Sequence, residues 1–144
     1  MKIFIAGIMQ GSKTGKGIQD QDYRKLISEV IKTHHPEVEI LDPFSLFPDS
    51  VEYGDQKARE VLFSMASEAS SSDLLISYLP EASMGTALEM IRAYDNGKPI
   101  ICISQMEKNW FVIAVSSKIF FTLEEFLSWV QKGGVAEYID PSSD

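Results

Sequence analysis

Residues 73–103, DLLISYLPEASMGTALEMIRAYDNGKPIICI, decide the fold. The run 73–79 is apolar enough to be a central strand, and 80–85 (PEASMG) punctuates the chain behind it. Residues 86–96 then read as a helix, closed by Gly97 in the left-handed position past its end, with Pro99 shortly beyond. Residues 100–103 (IICI) make the next strand. The order strand, helix, strand implies a parallel pair joined by a right-handed crossover.

The same alternation extends in both directions. Residues 2–6 (KIFIA) form a short β-branched and aromatic run that empties into a loop, GIMQGSKTGKG, carrying four glycines. Over 19–34, Tyr23, Leu26, Ile27, Val30 and Ile31 recur at helical steps, and Pro36 follows as a stop. Residues 38–41 (VEIL) alternate like a strand, and 42–54, with three acids, two prolines and a glycine, read as a long loop. A second helix spans 55–69 with Ala58, Val61, Leu62, Met65 and Ala69 on one face. A fifth strand or an irregular segment lies within 110–121. The last helix, TLEEFLSWVQK, begins at Thr122 as cap with Glu125 three residues on, and ends at Gly133 and Gly134. The tail after Tyr138 is expected to fray. The whole predicts an α/β, doubly wound, flavodoxin-like parallel five-stranded sheet with helices on both faces. Ligands of such sheets bind beyond the carboxyl ends of the strands, where the loops 7–17, 42–54 and 80–85 converge.

A chain of 144 residues, without repeats or linkers, fits one domain, 1–144, able to bury its own core. Its net charge of −8, with 13 Lys plus Arg, excludes a nucleic-acid polymer as partner, because no basic stripe exists to release counterions. A single nucleotide is not excluded. The one cysteine, Cys102, sits in an apolar run, fits a small core residue, and agrees with a reducing cytoplasm. The first ten residues are too short an apolar run for a signal segment, and no later run approaches a membrane span, so export and a membrane partner are not expected.

The glycine-rich first loop fails as a P-loop, since Gln10 and Gly17 occupy the outer positions, and its glycines lack the GxGxxG spacing. What remains is exposed backbone N–H able to approach an anion at Gly7, Gln10 and Gly11. Ser83 and Gly85 stand at the start of a helix, whose N–H groups can hold phosphate or sugar oxygens. Glu89, one turn after Gly85, shares that face; it also fits a solvated partner of Arg92 at i,i+3. His34 and His35 suit the end of the first helix. With no third His or Cys at ligand spacing, no metal is predicted.

The strand ending in Ala6-Gly7, the strand DLLISYL and the string SMGTALEMIRAYDNGKPII resemble the nucleoside 2-deoxyribosyltransferase-like family, over residues 2–104. The resemblance implies that Glu89 attacks the anomeric carbon of an N-glycoside. That chemistry suits a carboxylate, because the bond breaks through an oxocarbenium-like state that a carboxylate can stabilise or capture, with an ordinary or depressed pKa. Ser83 matches a serine that the 2'-deoxynucleoside 5'-monophosphate N-hydrolases of this group use for phosphate, whereas the nucleoside transferases tend to carry an acid there. Three positions depart from the pattern. Phe4 replaces a tyrosine near the nucleophile, Gln10 a phosphate-binding arginine, and Met65 or Ser64 an aspartate that handles the leaving base. Asp42, at the end of the second strand, is the candidate replacement acid; it also reads as a turn residue before Pro43. Trp110 could stack on a base or cover a neighbouring subunit, and the resemblance implies a homodimer or a higher homo-oligomer.

The expected function is therefore N-glycosidase or N-(deoxy)ribosyltransferase action on a nucleoside or nucleoside 5'-monophosphate, with no cofactor. The alternative is a catalytically inactive nucleotide-binding or sensing protein on the same fold. A flavin binder is disfavoured because the first loop lacks a Ser/Thr-rich phosphate cradle.

Overall fold

The computed structural model describes residues 1–10, 17–18 and 20–140. Gly11, one of the expected ligand contacts, lies outside them, as does the rest of 11–16. Five strands, β1 (Lys2–Gly7), β2 (Glu39–Leu41), β3 (Leu74–Tyr78), β4 (Ile100–Ile103) and β5 (Lys118–Phe120), form one sheet in the order β2-β1-β3-β4-β5, with every neighbouring pair parallel. This is the expected doubly wound topology. The central strands β1, β3 and β4 are almost wholly buried, as strands covered on both faces must be, while the edge strands are partly exposed.

Alternate residues of β1 feed two separate cores. Ile3 and Ile5 pack with Ile27 and Ile31 of α1 (Asp22–His34) and Phe126 of α6 (Leu123–Gln131). Phe4 and Ala6 face the other way, onto Met65 and Ala69 of α3 (Asp55–Ser71), Met90 of α4 (Met84–Asp95) and Val112 of α5 (Trp110–Val115). Gly97, at φ 68°, and Gly133, at φ 86°, both adopt the left-handed conformation that closes α4 and α6. At the start of α6, Thr122 Oγ1 accepts from Glu125 N at 3.1 Å, and Glu125 Oε2 accepts from Phe121 N at 3.1 Å, so the capping pair forms one residue out of its usual register.

Several boundaries differ from the sequence reading. The expected loop 42–54 contains a short helix, α2 (Pro43–Leu46), and a 3-10 turn (Ser50–Glu52); Asp42 caps α2, and Pro43 supplies its first residue. Residues 110–115 are helical despite their β-branched and aromatic content. Asn109 Oδ1 takes the N–H groups of Phe111 and Val112 at 3.0 and 3.3 Å, and Val112 and Val115, three apart, are buried together. The strand that was sought there is β5. On α3, Met65 and Ala69 are buried as expected, with Val61 packed against the same core, and Ala66 joins them while Leu62 is 42% exposed, so the packed stripe is only slightly rotated from the expected one. A last turn of helix, α7 (Ala136–Ile139), ends one residue past Tyr138, and residues 141–144 of the tail expected to fray lie outside the described residues. Cys102 is a free, buried thiol in β4, as expected of a core residue. Among the described residues no helix is long and apolar enough to cross a membrane, and no cluster of metal-ligating side chains occurs.

Candidate active site

The sheet order reverses direction between β1 and β3: the chain leaves β1 toward β2 and returns past it to β3. Above this switch point opens a cavity of about 350 Å³, a volume within the range of small-molecule sites. Its floor is Gly7 and Glu89. One side is the start of α4, with Ser83, Gly85 and Thr86; the opposite wall is apolar, with Phe47, Val51, Val61 and Met65. Gln10 lines it too. Of the expected contacts, the structure thus brings together Gly7, Gln10, Ser83, Gly85 and Glu89.

Ser83 caps α4. Its Oγ accepts from Thr86 N at 3.4 Å and donates to Thr86 Oγ1 at 2.9 Å, which leaves the N–H groups of Met84 and Gly85 at the cavity rim. One turn on, Glu89 is 8% exposed and its carboxyl makes no hydrogen bond among the described residues. Its expected pairing with Arg92 does not form. Burial drives the carboxyl up from 4.5 to about 8; the Arg24 cation pulls it down and the Asp42 charge pushes it further up. This reverses the expectation of an ordinary or depressed value, because the reading from spacing placed Glu89 on the right face but could not see how little water reaches it.

Arg24, on the first turn of α1, escaped the sequence reading altogether. It is 3% exposed. β2 ends level with Phe4, so β1 runs past its neighbour and its later carbonyls on that side lack a strand partner. Arg24 fills the gap, donating from Nη1 to Ile5 O at 3.2 Å and from Nη2 to Gly7 O at 2.9 Å. Nε donates to Gln21 Oε1 at 2.7 Å, and Nη1 meets Asp42 Oδ1 at 2.8 Å. A buried cation needs such partners. The only hint in the sequence was an arginine beside Tyr23 on the buried face of a helix.

Asp42 is committed to this network. Besides Arg24, its carboxylate accepts from Phe44 N at 3.0 Å and Ser45 Oγ at 2.9 Å. It borders a second hollow beside the edge strand β2 and does not line the cavity holding Glu89. Its place is that of helix cap and counter-ion, the turn role that its neighbour Pro43 also suggested. Tyr23, whose Oη donates to Ile8 O at 3.0 Å and whose ring stacks on Tyr78 at 4.3 Å, closes the inner side; burial pushes its phenol up. Gly7 has to be glycine, since a Cβ there would meet the Tyr23 ring. Phe4 is wholly buried in the core below Met65 and does not reach the cavity. Trp110 stands 89% exposed at the start of α5, away from it.

No protein-family model and no curated protein matches the sequence. Solved structures do. A conserved protein from Enterococcus faecalis V583 superposes with a TM-score of 0.66 at 18% identity, over 92% of this chain and 98% of that one. A 2-deoxyribosyltransferase from Bacillus psychrosaccharolyticus gives 0.64 at 16%, over 88% and 90%, and the CMP N-glycosidase of Clostridium botulinum 0.54 at 19%, over 92% and 99%. The chain shares the fold of these proteins, a doubly wound, flavodoxin-like parallel sheet. These likenesses run nearly end to end in both partners, so the fold match covers the elements that frame the cavity. In a fold of this kind, function still has to be argued from the site.

Proposed function

We propose that the protein cleaves the N-glycosidic bond of a nucleoside or nucleoside 5'-monophosphate, with Glu89 as the nucleophile. The observation that carries this reading is a buried carboxyl in the floor of the cavity, without a hydrogen-bond partner among the described residues, one turn from a helix start whose first N–H groups face the cavity rim. Ser83 and Gly85 would hold the phosphate or sugar oxygens, and Gln10, which also lines the cavity, would assist. Asp42 acts at one remove, as a positioning residue that holds Arg24 beside Glu89. The structural neighbours that act on nucleosides and on CMP support the same class.

The second reading, a nucleotide-binding protein without turnover, is favoured by the raised Glu89 pKa, which leaves the ligand-free carboxyl mostly protonated at neutral pH. Incubation with ribo- and deoxyribonucleosides and their 5'-monophosphates, with chromatography of free base, separates the two. Base release by the wild type, absent in Glu89→Gln, supports the enzyme. Equal release by both proteins removes Glu89 from the mechanism; ligand-induced thermal stabilisation without release supports the binder.

The reading also takes the protein to be a cytoplasmic homodimer. Leu62 and Phe63 of α3, with Trp110 and Ile113 of α5, leave large apolar side chains exposed on one side of the sheet. Trp110 then serves as a subunit contact rather than a base-stacking residue.

A further inference from the structure

On the proposed function, a neutral heterocycle leaves the sugar as an anion unless a group of the protein hands it a proton. Both carboxyls of the neighbourhood are committed elsewhere. Glu89 is the proposed nucleophile, and Asp42 holds Arg24 at 2.8 Å while accepting from Phe44 N and Ser45 Oγ. Arg24 also lines the cavity, but a guanidinium does not give up its proton. At the start of α4 the Ser83 hydroxyl donates to Thr86 Oγ1, within the helix cap. The remaining donors stand on the opposite wall, where residues 43–65 would meet the base. That wall is apolar except for two hydroxyls, those of Ser50 and Tyr53.

Tyr53 is fixed between the 3-10 turn and α3, and its N–H donates to Ser50 O at 3.1 Å. The ring is held from two directions. Phe47 meets it edge-on with centroids 6.4 Å apart, and the Lys57 ammonium, from the first turn of α3, lies 4.1 Å from its centroid. The hydroxyl takes no part in these contacts and makes no hydrogen bond among the described residues. A phenol is a far stronger acid than the aliphatic hydroxyl of Ser50, and tyrosine is one of the side chains that serve as general acids. We infer that Tyr53 is a catalytic residue of this site, the acid that protonates the departing base. Lys57 is its positioning residue, with a charge placed to offset the phenolate that the transfer leaves behind.

The step balances with these groups alone. A Glu89 oxygen forms a bond to the anomeric carbon as the carbon–nitrogen bond breaks, and the electron pair of the broken bond stays with the heterocycle. The Tyr53 proton moves to a nitrogen or oxygen of that heterocycle, which departs neutral. Water then attacks the anomeric carbon, the electron pair of the ester bond returns to the Glu89 carboxylate, and the proton lost by water restores the Tyr53 phenol. No proton is gained or lost over the cycle.

The inference rests on the proposed glycosidase reading, and the test separates the two. Tyr53→Phe removes the hydroxyl and keeps the ring. It is compared with the wild type on uridine, cytidine, adenosine, guanosine and their 5'-monophosphates, whose bases need a proton. The same pair is assayed on 7-methylguanosine and nicotinamide riboside, whose cationic bases leave neutral without one. Free base is followed by chromatography, and the fold of each variant by thermal melting. In Tyr53→Phe, kcat/KM is expected to fall at least about 100-fold on the neutral substrates and less than about three-fold on the cationic ones, with the melting temperature retained. Lys57→Met, which keeps the stem and removes the charge, should repeat the pattern more weakly. Equal loss on neutral and cationic glycosides, or no loss on either, overturns the inference and leaves the glycosidase reading standing. So does a loss confined to neutral substrates that appears on replacing Lys13 and Lys16 of the first loop by Met and not in Tyr53→Phe. Release of no base from any glycoside overturns both.

Discussion

Glu89 keeps a proton that the unfolded chain would lose. With the folded carboxyl near 8 and the unfolded one near 4.5, the native state binds the extra proton between those values. The corresponding stability is fully present below about pH 4.5 and is lost as pH rises through about 8, with a ceiling of roughly 5 kcal/mol. Urea unfolding at pH 5, 7 and 8.5 is expected to show the wild type weakening with pH, while Glu89→Gln holds steady and becomes the more stable protein at the alkaline end. Activity should run the other way. A nucleophile must be ionised, so kcat/KM on a neutral nucleoside should rise as pH passes through about 8, and a fall over that range would identify Glu89 as a proton donor instead. Residue identity and spacing made Glu89 a candidate, but its protonation state follows first from its burial and then from the opposing charges of Arg24 and Asp42, eighteen residues apart and brought together only by the fold.

At the scale of elements, α4 performs two tasks with one turn of backbone. Ser83 both caps the helix and stands at the cavity, so Ser83→Ala should cost about 1 kcal/mol of stability through the lost cap. If its hydroxyl and the neighbouring N–H groups also hold phosphate, KM for a 5'-monophosphate should rise several-fold with KM for the parent nucleoside little changed. A purely structural serine would move both equally. The helix–strand alternation, α4 with its Gly97 closure, and β4 were legible in the sequence because each has a strong local signal: apolar runs, a left-handed glycine, a proline stop. α2 and α5 were not. The first is four residues long and sits in a stretch of prolines and acids; the second is made of residues that favour strands, and only Asn109 as cap and the burial of Val112 and Val115 turn it into helix. Arg24 was illegible for a related reason, since its partners are backbone carbonyls exposed by the shortness of β2, a property of the sheet and not of any motif.

For the molecule as a whole, the exposed apolar side chains of α3 and α5 bear on assembly. Phe63 is 51% and Ile113 52% exposed, and a shared interface would cover them. Light scattering is expected to give twice the 16.1 kDa chain mass, and Phe63→Asp to shift the protein to a monomer with its fold retained by circular dichroism. A monomeric wild type at micromolar concentration would remove the dimer.

The cavity is assembled from two stretches that share little: residues 83–89 supply the helix start and the carboxyl, and residues 43–65 supply the wall where a base would rest. Arg24 fastens the strand end between them and belongs to neither. Reactivity and selectivity are therefore separable by graft. On the proposed function, exchanging the segment from Pro43 to Glu52 for another of equal length would redirect the choice of heterocycle while Glu89 and the start of α4 stay where they are, so that one half of the cavity can be rewritten and the other left alone.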